Sequence, residues 1–127
     1  MTRWIRPLIA TSLLAAVTLA QALTIVPYTP QALATVQKAG QPVAVQFHAE
    51  WCPTCKLQEK ALNQMVAEPG LDITVLVADY DKEKDLRKSM NVRTQSTLVV
   101  FKGTEEKARL AGETAPDKIR SVLKSAL

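Results

Sequence analysis

The chain has 127 residues, enough for one domain, and its 47% hydrophobic and 22% charged content is ordinary for a globular protein. The net charge of +4 comes from scattered Lys and Arg residues. No basic, aromatic-interleaved stretch is present, which argues against nucleic-acid binding.

Residues 1–22 read as a unit apart from the rest. Arg3 and Arg6 form a short basic start, and Leu8 to Leu19 is apolar apart from Thr11, Ser12 and Thr18. Ala20-Gln21-Ala22 has the small-x-small pattern of a cleavage site. Together these are the marks of a secretory signal peptide. The competing reading is an uncleaved anchor. The apolar stretch is shorter than the ~20 residues that a spanning helix needs. The expected mature domain is 23–127, placed in the periplasm.

Leu23 to Val26 is a short β-like run ended by Pro27. Thr29-Pro30 marks a helix start, a Thr cap followed by Pro in the first turn. Leu33, Val36 and Ala39 lie on one stripe of that helix, and Gly40 stops it. Val43 to Ala49 is nearly continuously apolar, which suits a central strand buried on both faces. A second helix is expected from Pro53 to about Ala67, with Leu57, Ala61, Leu62, Met65 and Val66 on its apolar face.

Leu71 to Ala78 is another buried strand, and Lys82 to Met90 is a short charged helix anchored by Leu86 and Met90. Thr97 to Phe101 is a β-branched strand. Lys102-Gly103-Thr104 turns the chain into a weaker strand, Glu106 to Leu110. Thr114 to Asp117 resembles a capping box and opens a last helix, with Ile119, Val122, Leu123 and Ala126 on its buried stripe. The order is β-α-β-α-β-α-β-β-α. It predicts an α/β fold: a mixed central sheet, parallel first and a hairpin last, with helices on both faces.

Cys52 and Cys55 are the only cysteines. They fall where the strand gives way to the second helix. The free N–H groups and partial positive charge of a helix N-terminus stabilise a thiolate. Cys52, at the mouth of the turn, is expected to receive that field while staying exposed. Cys55, one turn in, is expected to be shielded and placed to attack Cys52 when Cys52 holds a substrate. A structural staple is the rival reading, but so short a loop removes little chain entropy. Two cysteines alone do not complete a four-ligand zinc site. A redox dithiol is therefore the favoured reading.

Phe47-His-Ala-Glu-Trp-Cys-x-x-Cys-Lys56, then Asn91-Val92-Arg93 and Thr97 to Gly103, with Gly112 after the last strand, resemble the thioredoxin family over roughly residues 30–127. The resemblance implies a thioredoxin-like fold and a thiol–disulfide oxidoreductase without a cofactor or resident metal. Cys52 would attack a partner's disulfide, Cys55 would resolve the mixed disulfide, and the pair would cycle through a Cys52–Cys55 disulfide. Trp51 would pack beside the cysteines and shield them. Pro53 and Thr54 would tune the pair. They match neither the Gly-Pro of typical thioredoxins nor the Pro-His of the strongly oxidising DsbA type.

Three positions depart from the family pattern. Gln46 stands where the family usually carries a buried acid, so the resolving cysteine's proton would need water or another group, such as Glu50. His48, the only histidine, stands at the family's aromatic position. It would stabilise a thiolate, ligate a metal with the cysteines, or simply pack with a satisfied hydrogen bond. Ser96 stands where the family has a cis-proline. A non-proline cis bond costs about 2.5–4 kcal/mol, so a trans or strained bond is expected. Ser96 would donate a hydrogen bond to the Cys52 thiolate, or its presence would open the cysteines to metal.

The expected function is an exported, monomeric oxidoreductase acting on protein dithiols and disulfides, on the reductase or isomerase side. A transmembrane thiol electron shuttle of the DsbD class would supply its electrons. The alternative is a copper carrier using Cys52, Cys55 and His48.

Overall fold

The computed structural model describes residues 15–16 and 22–127. The signal-peptide reading of 1–22 thus lies almost wholly outside the described residues. Nine elements follow in the expected order: β1 (Thr24–Pro27), α1 (Pro30–Lys38), β2 (Pro42–His48), α2 (Pro53–Met65), β3 (Thr74–Asp79), α3 (Lys84–Ser89), β4 (Thr97–Lys102), β5 (Glu105–Ala111) and α4 (Pro116–Lys124). The sheet order is β1-β3-β2-β4-β5. β3 runs parallel to both β1 and β2, and β4 runs antiparallel to both β2 and β5.

β2 is the central strand. From Val43 to His48 every residue is buried, which its nearly continuous apolar run anticipates, although Gln46 and His48 are polar. Alternation along the strand sends Val43, Val45 and Phe47 into one core, with Leu33 of α1 and Leu86 of α3. Ala44 enters the opposite core, with Leu62 and Met65 of α2 and Ile119 and Leu123 of α4. Helices therefore cover both faces of the sheet. Truncating a fully buried anchor such as Leu62 to alanine would cost about 2–5 kcal/mol.

Two local expectations are corrected. Leu57 and Val66, both expected on the apolar face, are 56% and 40% exposed, whereas Gln58 is fully buried. The inward face of α2 is Cys55, Gln58, Ala61, Leu62 and Met65, a single helical stripe with a polar residue in it. Hydropathy alone assigns the inward position to Leu57. The start of α4 has no capping box: its cap is Ala115, without a side-chain hydrogen bond. Instead the Glu113 carboxylate, which precedes the helix, accepts from the backbone N–H of Thr114 and Ala115 and pairs with Lys118.

Candidate active site

β2 ends at His48, and the next four residues carry the chain from the end of this central strand into α2. Cys52 is the N-cap of α2, and its sulfur accepts a hydrogen bond from the Cys55 N–H at 3.2 Å. Pro53 follows in the first turn, where its missing N–H costs nothing. Thr54 lies beside it and its N–H is a further donor toward the Cys52 sulfur. Both cysteines are free thiols.

Cys55 is fully buried, and Cys52 keeps only 2% of its surface exposed. The expectation of an exposed Cys52 is therefore corrected. The reason is tertiary. Ala49 and Tyr80 pack against the two cysteines, and the segment before β4 closes over them.

That segment carries Ser96. Its hydroxyl lies 3.3 Å from the Cys52 sulfur and 2.9 Å from the Cys55 sulfur. Every peptide bond among the described residues is trans, and Ser96 takes φ +59°. A left-handed serine costs of order 1–3 kcal/mol and persists only where its surroundings hold it. Here they do. The Ser96 N–H donates to the Phe47 carbonyl at 2.9 Å. Its carbonyl accepts from the Gly112 N–H at 3.1 Å and from the Gln58 side chain at 3.0 Å.

Gln46 is buried on β2 and donates to the Gln58 side-chain oxygen at 3.1 Å. Gln58 also donates to the Glu113 carbonyl at 3.0 Å. Two buried amides thus pair with each other, and neither ionises. Gln58 is the residue that sequence reasoning missed. Its signal was helical spacing, three positions after Cys55 on the same face.

The remaining site candidates lie apart. His48 is buried, and its Nε2 meets Glu50 at 3.0 Å rather than a sulfur, with Glu59 at 3.9 Å. Its Nδ1 has no hydrogen-bond partner, so the expected satisfied histidine is only half satisfied. The Glu50 carboxylate, itself exposed, meets the buried His48 ring at 3.0 Å. Trp51 is 60% exposed, and its indole N–H donates to Asp81 at 2.7 Å. Among the described residues, no group of three or more His, Cys, Asp or Glu side chains is arranged to hold a metal ion.

The electrostatics separate the two thiols. Burial raises the Cys52 pKa, but hydrogen bonds from the Cys55 thiol, the Ser96 hydroxyl and the N–H groups of Cys55 and Thr54 outweigh it, and the net shift is downward. Burial pushes Cys55 upward, and its hydrogen bond to Cys52 and the charge on Cys52 add to that. One sulfur is set to ionise first and the other to hold its proton.

The thioredoxin family model matches residues 26–125. The chain belongs to the thioredoxin family. It is 31% identical to a thioredoxin of Mycobacterium bovis over 77 residues, 61% of this chain and 66% of that protein. It is 29% identical to mouse mitochondrial thioredoxin over 70% of this chain and 54% of that one. The matches thus span less than two thirds of these relatives' lengths. The crystal structure of Trxlp from Edwardsiella tarda is similar with a TM-score of 0.74 and 32% identity, covering 79% of this chain and 98% of that one. A mutant thioredoxin of Halobacterium salinarum, 23% identical, shares the fold with a TM-score of 0.70, over 86% of this chain and 96% of that one.

Proposed function

We propose that this thioredoxin-family protein is an exported, periplasmic thiol–disulfide oxidoreductase that works on the reductase or isomerase side. The observation that carries the reading is the asymmetry of the pair: Cys52 caps α2 with its pKa lowered, while Cys55 is buried with its pKa raised. The Cys52 thiolate attacks a partner's disulfide and Cys55 resolves the mixed disulfide. Partners are protein dithiols and disulfides, and the protein works as a monomer without a cofactor.

The direction follows from what touches Cys52. Strong oxidants owe their potential to heavy stabilisation of the reduced form. Here the stabilisation comes from neutral hydrogen-bond donors, and the one histidine is turned to Glu50. An exported dithiol that reduces others must itself be re-reduced, which calls for a transmembrane thiol shuttle of the DsbD class.

The test is reduction of insulin disulfides by metal-free protein, beside a titration of the pair in glutathione buffers. Catalysed reduction and a potential toward the reducing end of the roughly −270 to −120 mV range support the reading. Stoichiometric bound copper with no exchange would establish the carrier instead.

A further inference from the structure

We propose that the Ser96 hydroxyl is a catalytic hydrogen-bond donor that serves both sulfurs in turn, Cys52 during attack and Cys55 during resolution. This rests on the oxidoreductase reading above.

A hydroxyl has one proton to give and lone pairs to accept with. Ser96 Oγ sits within reach of both sulfurs, at 3.3 Å and 2.9 Å, and rotation about one bond redirects its proton. The rest of Ser96 is held still. Its N–H and carbonyl are engaged by Phe47, Gln58 and Gly112, and only 1% of the residue is exposed. A left-handed backbone at a serine places the hydroxyl where a relaxed loop would not.

The surroundings offer little competition. Apart from each other's thiols, the cysteine sulfurs meet the Ser96 hydroxyl and backbone N–H groups. Gln46 and Gln58, from β2 and α2, are neutral amides bonded to each other. Tyr80 packs beside the cysteines, with its hydroxyl donating to the Arg93 carbonyl. His48 is held by Glu50, with Glu59 of α2 beyond it.

The two stages follow. In the reduced protein the Cys55 thiol donates to the Cys52 sulfur, and the Ser96 proton points to the Cys52 thiolate as well. Cys52 Sγ attacks one sulfur of the partner disulfide. That bond breaks, and its electron pair leaves on the other partner sulfur, which takes a proton from solvent. Cys52 is now a neutral disulfide sulfur and a poor acceptor. The Ser96 proton turns to Cys55, whose own proton goes to solvent. The Cys55 thiolate attacks Cys52 Sγ, the Cys52–partner bond breaks, and the second partner sulfur leaves and takes a proton. Two electrons and two protons have passed to the partner. Ser96 keeps its own proton throughout.

Dithiobis-nitrobenzoate separates the stages. Attack by Cys52 releases one coloured thiol at a rate proportional to reagent, and resolution by Cys55 releases a second at a rate independent of it. Ser96→Ala removes the hydroxyl and keeps the backbone strain; Ser96→Gly removes both. Loss of one donor raises a thiol pKa by about one unit, cutting the thiolate about tenfold below that pKa, while nucleophilicity rises by about half as much on a logarithmic scale. Both variants are therefore expected to be about threefold slower in each phase below the relevant pKa and about threefold faster well above it.

This crossing in both phases supports the proposal. Uniform slowing at every pH overturns it, since a purely structural role acts that way. An unchanged second phase also overturns it, as does a Ser96→Gly variant that matches wild type where Ser96→Ala does not. A wild type that releases fewer than two thiols overturns the oxidoreductase reading, and this inference with it. A biphasic wild type with unmoved variants overturns this inference alone.

Discussion

Gln58 of α2 accepts a hydrogen bond from Gln46 of β2 at 3.1 Å, with both side chains buried. Through its amide nitrogen Gln58 also holds the Ser96 and Glu113 carbonyls. One side chain thus ties the central strand, the Ser96 loop and the segment before α4 to the helix that carries the thiols.

Gln58→Leu is expected to destabilise the fold by roughly 1–3 kcal/mol for each buried group it leaves unpaired. Urea unfolding at constant m-value measures this. The same variant should slow thiol exchange, because the Ser96 carbonyl loses its clamp from α2. A Gln58→Leu protein as stable as wild type would mean the amide chain carries no structural weight.

The cysteine variants separate the two sulfurs. Cys52→Ser is expected to abolish exchange. Cys55→Ser should retain attack and accumulate a stable mixed disulfide with partner proteins, visible as reductant-sensitive bands on a non-reducing gel. Trapping through Cys55 in the Cys52→Ser variant instead would reverse the assigned order.

His48 is expected to contribute little to the chemistry. Its Nδ1 is buried without a partner, and its Nε2 faces Glu50. His48→Phe removes the unpaired atom, so stability should hold or rise by up to about 1 kcal/mol. The rate of thiol release should stay at the wild-type value. A large loss of exchange would return His48 to the site.

Acid sensitivity should reside in three glutamates. Glu68 is held below the usual glutamate range by hydrogen bonds from Arg120, Glu106 by Arg109, and Glu113 by the Ala115 N–H and Lys118. A carboxylate whose pKa is lowered by folding contributes stability above its unfolded value, and that stability disappears as pH falls through the folded value. The unfolding midpoint should therefore decline as pH drops below the ordinary glutamate value of 4.5. Glu68→Gln should flatten the decline. A wild-type midpoint independent of pH across that range would contradict these pairings.

Much of this protein was legible in the chain itself. The nearly continuous apolar run of Val43 to Phe47, the alternation of strands with helices, and the turn at Gly103 are local patterns that determine a mixed sheet covered on both faces. The placement of Cys52 and Cys55 at a strand-to-helix junction is equally local, because it depends only on where one period of hydropathy replaces another. The site around them is not local. Ser96 reaches the sulfurs from more than forty positions away, and its left-handed backbone is held by Phe47, Gln58 and Gly112. Leu57 faces water and Gln58 faces inward because β2 and the Ser96 loop offer hydrogen bonds at that point of α2, and no helical pattern records those partners. Burial of Cys52 and the outward turn of Trp51 to Asp81 have the same origin. Hydropathy along a chain states which faces avoid water, whereas a polar contact is decided by the segment that arrives opposite.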